Sequence, residues 1–302
     1  MNKIIDGIKV SSDIKSEIKK EISSFKKDGK RVPSLSIVLV GNHTASSIYV
    51  NAKVRACKEV GIDVNLINLN DNISELDLLK IISELNNKSD LDGFIVQLPL
   101  PPQVNVQNVI DSISPAKDVD GFTNDNIGSI TSEVKKLLPA TGLGVMTLIE
   151  RYNIDIESKC CAILGSSRNV GAAIAQMLMQ KEQVTVTVCN SKTKNLKEIT
   201  SNADIIISAV GKPNLVTSDM VKEGAVIIDV GISRIRDDSK KSGYRIVGDV
   251  DYDNVLPKVS LITPVPGGVG PMTIASLIQM AAKWSIVVMV RAVLLNSLLI
   301  EN

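Results

Sequence analysis

Helical and strand periodicities alternate along this chain from end to end, and that alternation confines it to a parallel sheet flanked by helices, an α/β fold. Val10, Ile14, Ile18 and Ile22 recur every four residues and predict the first helix. Strands are expected at Ser34 to Val40, Val64 to Leu69 and Gly93 to Leu98, with helices at Ala45 to Val60 and Ser74 to Leu85, the second capped by Ser74. Between Pro115 and Gly144 the pattern breaks into turn residues, among them Gly121, Asn124, Asp125, Asn126 and Gly128. A second series follows: a helix near Val145 to Tyr152, a strand at Cys160 to Leu164, a helix from Val170 to Met179, and strands at Val184 to Cys189, Asp204 to Val210 and Ala225 to Val230. These outline a nucleotide-binding sheet. A length of 302 residues suits two domains. The expectation is an N-terminal α/β domain over 1–121 and a Rossmann-like domain over 122–272, with a cleft between them. A final helix, 273–302, packs back onto the first.

The 34 basic residues nearly cancel 33 acidic ones, so charge offers no reason to expect a nucleic acid or an anionic membrane as partner. Cys57, Cys160, Cys161 and Cys189 lack Cys-x-x-Cys spacing, and the adjacent pair lies in an apolar run that reads as a buried strand; no metal site is expected. His43, the one histidine, sits in a turn after a strand and reads as a solvent-facing loop residue. A single histidine excludes multi-histidine metal sites and leaves none elsewhere for a Ser-His-Asp triad. The N-terminus, opening Asn2-Lys3-Ile4-Ile5-Asp6, lacks the apolar stretch of a secretory signal, and a cytoplasmic location is expected. The tail from Ala282 to Ile300 is apolar but interrupted by Lys283, Arg291 and Asn296. An arginine near mid-bilayer costs about 2.5–3.5 kcal/mol, which favours a helix packed on the protein over a membrane span.

Six segments carry chemistry. Tyr49 and Lys53, four apart on a predicted helix, project from one face, and an ammonium in a partly desolvated cleft loses preference for its charged form. Alone, the pair proves little, and a solvated helix surface is the more common reading of such spacing. Gln97 ends the buried strand Gly93-Phe94-Ile95-Val96-Gln97-Leu98, where open parallel sheets bind ligands. Asp118 and Asp120 follow at the domain boundary; they read as a turn, or as carboxylates for a ligand's N–H groups. Gly165-Ser166-Ser167-Arg168-Asn169-Val170-Gly171 joins a buried strand to a helix, so its N–H groups can face a pyrophosphate, although the spacing is not Gly-x-Gly-x-x-Gly. The next strand ends Cys189-Asn190-Ser191-Lys192-Thr193-Lys194 without an acid for a ribose 2′-hydroxyl. Ser191 and its lysines suit a 2′-phosphate instead, favouring NADP and leaving NAD open. The Pro-Gly-rich run Thr263 to Thr273, with Pro266 and Gly267, sets an unusual backbone path suited to a flat ligand, with Pro271 or Met272 opening the last helix.

Together with Gly211-Lys212-Pro213 and Asp229-Val230-Gly231-Ile232, these segments resemble the methylenetetrahydrofolate dehydrogenase/cyclohydrolase family from about Asp6 to Lys283. The resemblance implies a bifunctional folate enzyme that oxidises 5,10-methylenetetrahydrofolate with NADP and hydrolyses the methenyl product to 10-formyltetrahydrofolate. It implies that residues 1–121 bind folate and that the protein is a homodimer. It makes Lys53 the central polar group of hydrolysis, Gln97 the residue that tunes it and Tyr49 its positioning partner. Asp120 holds the pterin ring, and Val96, Leu98, Pro266 and Gly267 join Tyr49, Gln97 and Asp120 around the folate. Gly165, Ser166, Ser167, Ser191 and Ile232 map to the cofactor. Two departures stand out: Pro139-Ala140-Thr141-Gly142 replaces a Pro-Cys-Thr-Pro run, and Ser166 stands where some members carry an arginine for the 2′-phosphate, with Arg168 the candidate to compensate. The alternatives are a monofunctional dehydrogenase and a folate- or nucleotide-binding protein without turnover.

Overall fold

A computed structural model describes residues 3–41, 43–132, 136–181, 183–240 and 243–300. The chain divides into two compact units, one of Ser12–Ala140 with the chain from Ile274 onward, the other of Thr141–Thr273 with the chain up to Ser11. We call them the three-stranded and five-stranded units.

Helix α1 (Gly7–Lys27) crosses from one unit to the other, and its predicted stripe Val10, Ile14, Ile18 and Ile22 is buried. The three-stranded unit continues with β1 (Ser34–Val40), α2 (Thr44–Val60), β2 (Asp63–Leu69), α3 (Glu75–Asn87), β3 (Gly93–Val96), α4 (Val106–Ser112) and α5 (Asn124–Gly128). Its sheet is parallel in the order β2-β1-β3. Central β1 is an almost continuous apolar run and is buried along its length, whereas edge strand β2 alternates with solvent-facing polar residues. The Ser74 hydroxyl accepts from Asp77 N, as the capping pattern predicts, and α3 then buries Leu78, Ile82 and Leu85. These meet Val38, Val40, Phe94 and Val96 in one core.

Residues 122–140, which the sequence pattern grouped with the nucleotide-binding half, cluster with the three-stranded unit. The buried Asp118 carboxylate accepts from Thr123 N at 2.7 Å and Asn126 Nδ2 at 3.0 Å, and Lys136 Nζ reaches Asp125 at 2.5 Å, so side chains draw the turn-rich stretch back onto the segment before it.

The five-stranded unit is built from α6 (Ala140–Arg151), β4 (Cys160–Leu164), α7 (Gly171–Met179), β5 (Thr185–Cys189), α8 (Leu196–Ser201), β6 (Ile205–Ser208), β7 (Val226–Asp229), β8 (Ser233–Arg236), β9 (Tyr244–Val247), α9 (Tyr252–Val255) and β10 (Leu261–Ile262). Its sheet is parallel, ordered β10-β7-β6-β4-β5, so the chain reverses its direction of travel between β4 and β6. A doubly wound sheet binds ligands outside the carboxyl ends of its strands at such a switch point. Ala162, Leu164, Ile206, Ile227, Val250 and Ile262 belong to the core beneath it. Several short elements escaped the sequence pattern, among them α4, α5, the two-residue β10 and the antiparallel hairpin β8-β9, where Ser233 pairs with Val247. Helix α6 starts at Ala140, five residues ahead of expectation. Helix α10 (Val269–Ile300) closes the chain, so Pro271 and Met272 fall in its first turn and not at its start. Among the described residues no helix is long and apolar enough to cross a membrane. The packing expected of the tail beyond Ser285 concerns side chains outside those described.

Candidate active site

Helix α2 carries Tyr49 and Lys53 one turn apart, with Val50 and Cys57 facing the core. Lys53 is only 7% exposed. Its Nζ donates to Gln97 Oε1 at 3.1 Å and stands 3.7 Å from Asp120 Oδ1. Gln97 follows the last residue of β3, and because Val38 of β1 is register partner to Val96, Gln97 N continues the ladder to Val38 O at 2.9 Å. Gln97 Nε2 donates to Leu98 O at 2.7 Å, which leaves the amide oxygen turned to Lys53. Backbone pairing and one side-chain bond thus fix the amide before any ligand arrives.

Asp118 and Asp120, two residues apart, do different work. Phe94 N donates to Lys117 O at 2.8 Å, so this segment runs beside β3. The Asp118 carboxylate then accepts from Gly121 N, Thr123 N and Asn126 Nδ2, which makes it the holder of the turn. Asp120 is left to face Lys53. Burial, the dominant influence, pushes the Asp120 carboxyl above its ordinary range, the Lys53 charge pulls it down, and the Asp118 charge pushes it up again. One turn beyond Lys53, burial pushes the Cys57 thiol up to about 12, so this cysteine is no thiolate at neutral pH. An apolar recess lined by Phe94, Val96, Leu98 and Phe122 adjoins the Asp120 carboxylate. The arrangement offers an amine within reach of both an amide acceptor and a carboxyl.

In the five-stranded unit the Gly165 loop lies at the switch point. Gly165 has φ +105°, and a Cβ there would stand 2.4 Å from Ala209 O; one on Gly171 would stand 1.9 Å from Gly165 O. Only glycine fits either place. Ser166 and Ser167 are exposed, and α7 starts at Gly171 with no side chain capping its N–H groups. Asn169 Oδ1, in the same loop, is buried without a hydrogen-bond partner. A helix start that no side chain caps suits a phosphate, and the orphaned Asn169 Oδ1, an acceptor, suits a donor such as a ribose hydroxyl. Ser191 is exposed two residues past the end of β5, between Asn190, whose Oδ1 accepts from Lys192 N, and exposed Lys192. Ile232, 40% exposed, follows β7, and Gly267 O accepts from Ile8 N at 3.1 Å with Pro266 beside it.

The structure therefore brings Lys53, Gln97 and Asp120 together with Tyr49 one turn away, and gathers Gly165, Ser166 and Ser167 at the switch point. Pro266 and Gly267, expected around the folate, belong to the five-stranded unit. Sequence reasoning passed over Asp249, which is fully buried and accepts bonds from the loop after β6. Its Gly-Asp-Val context carries no periodicity that would have singled it out.

Residues 5–120 match the tetrahydrofolate dehydrogenase/cyclohydrolase catalytic domain, and residues 139–286 match the NAD(P)-binding domain of the same family. The bifunctional protein FolD of Cytophaga hutchinsonii is 49% identical over 279 residues, covering 91% of this chain and 96% of its own. FolD of Porphyromonas gingivalis is 46% identical over 92% of this chain and 95% of its own. Among solved structures, the bifunctional FolD of Campylobacter jejuni shares 44% identity with a TM-score of 0.87, covering 93% of this chain and 97% of its own. The Trypanosoma brucei enzyme, complexed with NADP and an inhibitor, shares 33% with a TM-score of 0.90, covering 94% and 98%. This chain belongs to the tetrahydrofolate dehydrogenase/cyclohydrolase family.

Proposed function

We infer that the chain is a bifunctional folate enzyme, which oxidises 5,10-methylenetetrahydrofolate to the 5,10-methenyl form with NADP and hydrolyses that product to 10-formyltetrahydrofolate. Its likeness over nine-tenths of its length to proteins named bifunctional favours this reading over a monofunctional dehydrogenase or a binding protein without turnover. The observation that carries the hydrolytic half is the Lys53 amine held between Gln97 and Asp120.

Oxidation removes a hydride from the methylene carbon and leaves a cationic methenyl bridge; the nicotinamide of NADP supplies the hydride acceptor. Water then adds to that carbon, a proton departs and the bridge opens to the formyl group. Lys53 is the group we assign to that proton, with Gln97 orienting its amine and Tyr49 positioning it from the previous turn. Asp120 is assigned to the N–H groups of the pterin, with Val96 and Leu98 along its side and Pro266 and Gly267 as further folate residues. Gly165, Ser166, Ser167, Ser191 and Ile232 are assigned to NADP, which the start of α7, free of a side-chain cap, supports. A Lys53→Met variant tests the assignment. It is expected to lose methenyltetrahydrofolate hydrolysis by about a hundredfold or more, the upper part of which a proton-transfer group supplies, and retained hydrolysis sinks the role of Lys53.

We also propose a homodimer. Strand β5 is an edge of the five-stranded sheet, and Val188 on it and Met179 at the end of α7 are 40% and 51% exposed, a combination open to pairing with a second chain. Sedimentation at micromolar protein decides it. Four free cysteines support the reducing conditions of the cytoplasm as the working compartment.

A further inference from the structure

Two aspartates are buried at the carboxyl end of the five-stranded sheet with no lysine or arginine paired to either among the described residues: Asp229 at 2% exposure and Asp249 at 0%. Burying a carboxylate without a cation is costly, so such a pair demands a reason. Asp229 is the last residue of β7 and register partner of Ser208, the last of β6. Asp249 follows β9 on a segment that returns beside Val216, whose N–H donates to Asp249 O at 3.0 Å.

Their partners are almost all main chain. Asp249 Oδ2 accepts from Ser208 Oγ at 2.9 Å and Val210 N at 2.7 Å, while its Oδ1 accepts from Lys212 N at 2.9 Å. Asp229 Oδ1 accepts from Gly231 N at 2.9 Å and Asp249 N at 3.0 Å, and its Oδ2 accepts from Val250 N at 2.9 Å. The glycines around them leave no slack: a Cβ on Gly231 would lie 2.2 Å from Asp249 Oδ1, and one on Gly248 would lie 1.9 Å from Asp229 Oδ2. One carboxylate thus holds the loop after β6, the other holds the loop after β7, and the Asp249 N–H ties the two together. These loops leave adjacent strands at the end of the sheet where doubly wound folds take their ligand.

We propose that Asp229 and Asp249 are positioning residues for the nicotinamide cofactor, clamping the Val210–Lys212 and Val230–Ile232 loops into one preorganised rim. The inference rests on the reading that this rim borders NADP. A turn-holding role like that of Asp118 would affect the fold alone, whereas a cofactor rim affects binding of the nucleotide selectively. The enzyme carries its own control, because hydrolysis of the methenyl bridge is not a redox step and needs no nicotinamide.

The experiment uses the full chain and NADPH as probe, its intrinsic fluorescence giving Kd in the absence of folate. Asp249→Asn puts an amide N–H₂ where an acceptor stood, so either Val210 N or Lys212 N loses its partner. NADPH Kd is expected to rise about tenfold or more, with faster hydrogen exchange at those two amides and methenyl hydrolysis within about twofold of the parent. A Kd within about twofold, or hydrolysis that falls in step with Kd, overturns the proposal. Ser208→Ala, which removes one hydroxyl bond and no main-chain partner, is the gentler variant should Asp249→Asn not fold, and a rise of roughly threefold is expected; an unchanged Kd there counts against the clamp. Ile232→Asp tests the underlying reading separately. If it leaves Kd unchanged, the rim does not border the cofactor; if it weakens binding while Asp249→Asn does not, the rim stands and the clamp fails.

Discussion

Asp120 Oδ1 stands 3.7 Å from Lys53 Nζ with side chains only 15% and 9% exposed, while the Asp118 carboxylate, two residues earlier, accepts from Gly121 N, Thr123 N and Asn126 Nδ2. The same residue type at nearly the same place serves two ends. Asp118→Ala is expected to cost roughly 2–4 kcal/mol of stability, because Gly121 N, Thr123 N and Asn126 Nδ2 lose their acceptor in a buried turn. Asp120→Asn is expected to keep the melting temperature within a few degrees and to raise KM for the folate about tenfold. Thermal melts and steady-state kinetics on the two variants decide the matter, and equal losses of stability would remove the distinction.

Gly165 supplies a second test. Its φ of +105° and the 2.4 Å gap that a Cβ would leave to Ala209 O make alanine strained in both respects. Gly165→Ala is expected to destabilise the protein by about 2 kcal/mol or more and to weaken NADPH binding. Gly128, with negative φ and open space around its Cβ position, is the control: Gly128→Ala is expected to change neither. Urea unfolding paired with cofactor titration makes the comparison.

Burial, aided by Asp249, pushes the Asp229 carboxyl from an ordinary 3.8 up to about 6, against the pull of the N–H groups of Asp249, Val250 and Gly231. Those main-chain donors and the Asp249 carboxylate are the polar groups that face it. Between those two values the folded state therefore holds a proton that the unfolded chain has released. The stability contributed by this group is full below about pH 4 and declines as pH rises to 6, by on the order of 3 kcal/mol, and is level above that. Asp229→Asn is expected to flatten this part of the stability profile between pH 4 and 7. Urea unfolding across that range on parent and variant is the check, and parallel profiles would count against the raised carboxyl.

Much of this protein was legible before any coordinates. The stripe Val10, Ile14, Ile18, Ile22, the apolar run of β1, the Ser74 cap and the glycines at 165 and 171 are local statements, each resting on a few neighbouring residues and their own conformational preferences. Local preference also reached Lys53 and Gln97 separately, one on a helix face and one at a strand end. Segments too short to show a period stayed hidden, as β10 and the hairpin β8-β9 did, and so did the five residues by which α6 starts early.

The sequence by itself determined the alternation of helix and strand, the reaction class through its ordered motifs, and the residue types available for chemistry. Tertiary structure alone decided which of them meet. Gln97 reaches Lys53 because β3 pairs with β1 and Val38 is register partner to Val96. Asp120 arrives because Lys117 is hydrogen-bonded to Phe94, and Asp249 becomes the acceptor for Val210 and Lys212 from 39 and 37 residues away. Periodicity reports which face a residue occupies along its own segment, but partners far apart in the chain are chosen by sheet order, register and the need to satisfy every buried polar group.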